Sequence, residues 1–167
     1  LLQPLITMYV GQLMGKVDDE AVQMAGVIFS LAGISGILAA PFWGNRGQRY
    51  GYVRTFCYIT LGAGVVNLFQ FFTTDVYQFA IVQFIFGLFL AGAIPNINAN
   101  LAEVTDKSIR GKAFGLVTSA QMSGGFVGPL LGGALGHVLP TRLVIICAGI
   151  ILIGVSAFTY FTKVKGK

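Results

Sequence analysis

The sequence predicts an all-α integral membrane domain of six transmembrane helices, and three observations carry that prediction. Of its residues, 55% are hydrophobic and only 10% charged, with a mean hydropathy of +0.78, too little charge to cover the surface of a soluble domain of this length. Apolar runs of about 20 residues recur between short polar breaks, the length an α-helix needs to cross a bilayer. They are also too long for the short alternating segments of a membrane barrel, so the spans are helices.

Residues 1–14 read as the end of a first helix, too short to span alone; the chain opens on Leu1-Leu2-Gln3-Pro4 and shows no cleavable signal, so a fragment is expected. After the polar break Gly15 to Glu20, a second span covers 21–43, with Gly26, Ser30, Gly33, Gly36 and Ala40 permitting close helix packing, and stops at Pro41-Phe42-Trp43-Gly44. A loop, Asn45 to Arg54, leads to a third span at 55–72 and the tight turn Thr73-Thr74-Asp75. The fourth span, 77–101, contains Pro95 and is followed by the charged break Glu103 to Lys112. The fifth, 113–137, holds a glycine seam, and the sixth, 143–161, ends before a basic tail.

Counting basic residues by alternate loops puts Arg46, Arg49, Arg54, Lys107, Arg110, Lys112, Lys163, Lys165 and Lys167 on one side, and only Lys16 and Arg142 on the other. Lysine and arginine in short loops set orientation, so the first side and both chain ends are expected to be cytoplasmic, in a cell membrane. Cys57 and Cys147 fall near opposite faces of the bilayer and read as small packing residues rather than a disulfide. The formal net charge of +5 is dispersed among loops without an aromatic-basic surface, which argues against a nucleic-acid partner.

Two motifs stand out. Gly44-Asn45-Arg46-Gly47-Gln48-Arg49-Tyr50-Gly51 joins the second and third spans, with glycines that allow a tight reversal and basic side chains able to reach lipid phosphates. In the fifth span, Gly124, Gly128, Gly132 and Gly136 recur every four residues, a seam without side chains where another helix can approach closely, and Pro129 removes one backbone donor beside it.

The first motif resembles the gate-loop pattern Gly-x-x-x-Asp-Arg-x-Gly-Arg of the major facilitator superfamily. Gly44, Arg49 and Gly51 match, whereas Gln48 stands for the family's Asp and Tyr52 for its final Arg. The second resembles the antiporter motif of the drug:proton antiporter branch, Gly-x-x-x-Gly-Pro-x-x-Gly-Gly, matched by Gly124, Gly128, Pro129, Gly132 and Gly133. A third pattern places an intramembrane Arg four residues before a glycine; Gln83 replaces that Arg ahead of Gly87.

The resemblance implies the C-terminal six-helix half of a secondary transporter that exports hydrophobic small molecules, driven by a proton gradient and without a bound cofactor, alternating access by rocking against a missing N-terminal half. An importer of a small solute, or a truncated or non-transporting protein of the same fold, is the alternative. No Ser-His arrangement or metal-ligand spacing suggests an enzyme, and His137 stands alone. All six acids, Asp18, Asp19, Glu20, Asp75, Glu103 and Asp106, fall in or beside loops, so the proton carrier is expected in the missing half. Gln12, Asn67, Gln70, Gln83, Asn98 and Gln121 either line a cavity or bond between helices; Gln83 and Gln121 are the best cavity candidates, with Tyr9, Phe29, Phe86 and Met122 adding adaptable apolar surface.

Overall fold

The computed structural model describes residues 3–15 and 18–164; Lys16, Lys165, Lys167 and the side chain of His137 lie outside what is described. The described residues form helices without a strand: α1 (Gln3–Met14), α2 (Asp19–Tyr50), α3 (Tyr52–Phe69, extended by a 3-10 turn Gln70–Phe72), α4 (Val76–Leu90), α5 (Ala93–Val104), α6 (Arg110–Val138) and α7 (Thr141–Thr159, ending in a π turn Tyr160–Val164). Among the described residues, four segments are long and apolar enough to cross a membrane: Asp19–Tyr50, Tyr52–Phe72, Val76–Val104 and Thr141–Val164. At 29 residues α6 has the length but not the hydropathy, because glycine, serine, threonine and glutamine dilute it.

The distribution of side chains is the reverse of a soluble protein's. Ile37, Leu116, Phe126 and Val138 are each at least 70% exposed, while Ser35, Asn67, Gln70, Gln83, Asn96 and Ser156 are buried. Lipid is as apolar as the exposed side chains, so small and polar groups gather where helices touch.

Two carboxylates set the helix starts at one end. Asp18 caps α2 by accepting from Ala21 N at 3.2 Å, and Asp75 caps α4 by accepting from Tyr77 N at 3.1 Å. Cross-helix contacts then fix direction. In the α3–α7 pair, Asn67 Nδ2 donates to Ile145 O at 2.7 Å and Ser156 Oγ to Cys57 O at 2.7 Å, so the two helices run antiparallel. Between α2 and the α4–α5 pair, Ser35 lies by Gly87 and Gly47 by Asn96, so these run parallel. The described basic residues of the α2–α3 reversal, the α5–α6 turn and the end of α7 therefore share one end of the bundle.

Each end has its own core. Tyr9, Val10, Ala25, Ile28, Val76, Phe79 and Ile145 pack at the acidic end, with Tyr9 edge-on to Phe79 at 5.1 Å. Ala39, Trp43, Ile59 and Ala93 pack at the basic end.

Two segments depart from the sequence reading. The second span does not stop at Pro41-Phe42-Trp43-Gly44; α2 continues through Tyr50, and most of the expected loop is helix. Pro41 deletes one backbone donor without ending the helix, and the reversal falls on Gly51 alone, at φ 91°, a conformation open chiefly to glycine. The fourth span, Val76–Val104, is a single apolar crossing made of two helices, with a break at Ala91-Gly92 that the sequence reading did not mark. Pro95 offers no N–H to Ala91 O, and the preceding turn tightens so that Gly92 N bonds Phe89 O at 3.2 Å. Leu88 O, thereby freed, accepts the Trp43 indole N–H at 2.7 Å.

Candidate functional site

The gate-loop residues occupy the last turns of α2. Gln48 and Arg49 are exposed, Gly51 makes the reversal, and a side chain at Gly44 would meet no atom within 4 Å. The demanding glycine is Gly47, whose side chain would collide with Asn96 Oδ1 and with the Tyr52 ring. Asn96 Nδ2 donates to Gly92 O at 2.8 Å and reaches Trp43 O at 3.4 Å, leaving its buried Oδ1 without a partner. Gly92 packs beneath the Trp43 side chain so closely that a Cβ there would lie 2.5 Å from it. Trp43, Gly47, Gly92 and Asn96 thus form a junction that sequence reading missed. Its signal was Asn96 directly after Pro95, one polar residue facing a break in a span.

At 32 residues, α2 measures about 48 Å against a hydrocarbon layer of about 30 Å, longer than one crossing needs. In its last turns Arg46 lies over the Phe42 ring, 5.1 Å from its centroid, and 5.9 Å from that of Tyr50. A cleft of about 250 Å³ beside it is lined by Trp43, Arg46, Tyr50, Thr55 and Tyr58. A second, open cavity of about 560 Å³ lies at the α5–α6 turn among Glu103, Asp106, Lys107 and Arg110, where Arg110 Nε donates to Thr105 O at 3.1 Å.

The substrate-cavity candidates line neither space and do not converge on one site. Gln83 is buried on α4 and accepts from Gln70 Nε2 at 2.7 Å. Phe86 is buried one turn on; Tyr9 is buried with its hydroxyl 3.4 Å from Thr73 O, and Phe29 is half-buried beside the same core. Gln121 and Met122 stand exposed on α6.

The glycine seam divides in two. Gly128 and Gly132 are buried where α6 meets its neighbours, with Pro129 half-buried between them, and α1 is among those neighbours. Gly124, Gly125 and Gly133 face open space: a Cβ on any of them meets nothing within 4 Å.

This arrangement of apolar-exterior helices, a glycine-lined α6 and a basic reversal after α2 agrees with one family. Across residues 2–167 the chain matches the family described as Major Facilitator Superfamily. The chain belongs to the major facilitator superfamily. It is similar to the multidrug resistance protein MdtG of Yersinia enterocolitica serotype O:8 / biotype 1B, with 31% identity over 162 residues, 96% of this chain and 39% of that protein. It is also similar to the multidrug resistance protein MdtG of Escherichia coli O1:K1 / APEC, with 32% identity over 154 residues, 92% of this chain and 37% of that protein. The chain spans about two-fifths of the length of the curated relatives it matches. Major facilitator proteins are multi-pass membrane transporters rather than enzymes, which agrees with helices whose apolar side chains face outward.

Proposed function

We propose that this chain is the C-terminal six-helix half of a proton-coupled carrier that exports hydrophobic small molecules by alternating access. The observation that carries this reading is the uncovered stretch of α6 from Thr118 to Val127, exposed on every side. Gln121, Met122, Gly124, Gly125 and Phe126 are exposed along it, and the glycines there have space for a side chain that no described residue fills. An N-terminal half packing on part of that stretch accounts for it, and the share of the MdtG relatives that the chain spans, about two-fifths, supports a further half. The relatives' names, multidrug resistance protein, support drugs as the substrate class.

Within this reading Gln121 and Met122 meet substrate, because both are exposed at the middle of the uncovered stretch of α6. Gln83 bonds between structural elements instead, because its amide oxygen is already committed to Gln70. The six spans are α1, α2, α3, α4 with α5, α6 and α7, and the basic end faces the cytoplasm of a cell membrane, as the nine-to-two split of lysine and arginine supports. The energy source is the proton gradient, with no bound cofactor. All six acids are exposed at helix ends or turns, so the ionisable carrier lies in the other half.

The test uses inverted membrane vesicles containing the full-length protein. A lipophilic dye should accumulate against its gradient, and accumulation should collapse with a protonophore. Neutralising each of the six acids should leave coupling intact. Failure to move any dye, or loss of coupling in a folded mutant of one of these acids, overturns the reading.

A further inference from the structure

We propose that the cleft between the basic ends of α2 and α3 is a binding site for one anionic phospholipid, with the Arg46 guanidinium on its phosphate. The proposal needs the chain to be membrane-embedded but does not depend on what it transports.

Three features point to this ligand. First, Arg46 is held in place: the rings of Phe42 and Tyr50 lie 5.1 and 5.9 Å from it, which leaves the N–H edge of the guanidinium free for bidentate bonding to a phosphate. Second, the cleft has the make-up of a membrane interface. Tyr50 and Tyr58 stand exposed on its two sides, amphipathic rings of the kind that sit at headgroup depth, and Arg46 lies about one turn beyond the apolar stretch of α2. From its mouth the exposed side chains of Phe42 and Leu38 on α2, and of Leu61 on α3, continue toward the bilayer centre as a path for an acyl chain. The volume of about 250 Å³ suits a headgroup rather than a whole drug molecule.

Third, the charge selects the headgroup. Arg49 and Arg54 are next in sequence to the lining residues Tyr50 and Thr55, no aspartate or glutamate occurs between Glu20 and Asp75, and the acids at this end, Glu103 and Asp106, line the separate cavity at the α5–α6 turn. A zwitterionic headgroup brings an ammonium, which needs a carboxylate that this stretch lacks; Gln48 stands where the family pattern has its acid. An anionic headgroup such as phosphatidylglycerol brings only charge that the arginines neutralise. Trp43 forms the inner wall rather than a donor, since its indole N–H is committed to Leu88 O.

The experiment is native mass spectrometry of the full-length protein in detergent, titrated separately with phosphatidylglycerol, phosphatidylethanolamine, phosphatidylcholine and inorganic phosphate. One phosphatidylglycerol should bind in preference to the other two lipids. Arg46→Gln should weaken it about five- to tenfold, Phe42→Leu with Tyr50→Leu about threefold, and Arg142→Gln at the opposite end should leave it unchanged. A photoactivatable phosphatidylglycerol on the unmutated protein should label peptides spanning residues 38–61, a readout that requires no variant to fold. Equal phosphatidylglycerol binding by wild type and Arg46→Gln overturns the proposal. So does inorganic phosphate competing as well as the lipid, which would mean a free-anion site, and so does labelling spread evenly over the protein, which would mean bulk lipid contact without a site.

Discussion

The side-chain amide of Gln70 donates to Gln83 Oε1 at 2.7 Å, and both residues are buried, so the turn that closes α3 is tied to the middle of α4 by a neutral hydrogen bond. Where the family pattern carries an intramembrane arginine, this chain has half of an amide pair. Gln83→Ala should therefore lower stability by about 1–2 kcal/mol, because it leaves the Gln70 amide without its partner. The double replacement Gln70→Leu with Gln83→Leu should be milder than the single one, since neither polar group is then stranded. Thermal unfolding in detergent measures both, and a double mutant less stable than Gln83→Ala would show that the pair has another role.

Gln121→Ala should separate from Gln83→Ala by phenotype. Gln121 is exposed on α6 and has little packing to lose, so stability should change by less than about 0.5 kcal/mol. Apparent dye affinity in vesicles should shift instead, and an unchanged transport profile would remove Gln121 from the substrate path.

Gly47→Ala should destabilise the basic end by about 1–3 kcal/mol, because the new methyl group collides with the Asn96 amide and the Tyr52 ring, both held in a packed junction. Gly124→Ala, in space that is open within this chain, should leave the intrinsic stability of the helix bundle unchanged or slightly raised, since alanine favours helix. If Gly124→Ala nevertheless abolishes dye export while the protein remains folded, the lesion lies in docking of the other half. Unfolding and transport measured on the same two preparations distinguish these cases.

Trp43→Phe keeps most of the ring packing against Phe89, whose centroid lies 5.7 Å away, but removes the donor to Leu88 O. A loss of about 1 kcal/mol is expected, with faster amide exchange at the α4–α5 break than elsewhere in the span. Uniform exchange across Val76–Val104 would show that the indole does not hold the break.

Gly149→Leu should open the α3–α7 pair. A Cβ at Gly149 already lies 2.9 Å from Leu68 Cδ2, and one at Gly64 would lie 2.7 Å from Ile153 Cγ1, so the two helices pack with almost no intervening side chain. Neighbouring Asn67 Nδ2–Ile145 O and Ser156 Oγ–Cys57 O bonds depend on that approach. Gly154→Leu, where a Cβ meets nothing within 4 Å, is the matched control and should unfold at the wild-type temperature.

Much of the fold was legible because the signals are local. Apolar length announces a span whatever it packs against, and basic residues gather by loop. The extent of α2 was not legible. Gly44, Gly47 and Pro41 resemble a helix end, yet helix persists to Tyr50 because Gly47 is needed small for contact with α5, and the reversal requires only Gly51. The seam on α6 was legible as spacing but not as two functions. Burial separates Gly128 and Gly132 from Gly124, Gly125 and Gly133, and burial depends on where the other helices end.

Helical membrane architecture, the separation of acidic from basic ends and family membership are properties of composition, period and motif, and they need no knowledge of contacts, because a bilayer imposes the same demand on every span. The fate of each intramembrane amide is different. Gln83 is paired and Gln121 uncovered although both are glutamines inside apolar helices, and Arg46 gains its aromatic cradle only because α2 stays helical past Phe42 to Tyr50. Tertiary packing decided these, because whether a polar group is a bond, a binding surface or a ligand contact depends on which neighbour lies within hydrogen-bonding distance, and that neighbour is usually on another helix.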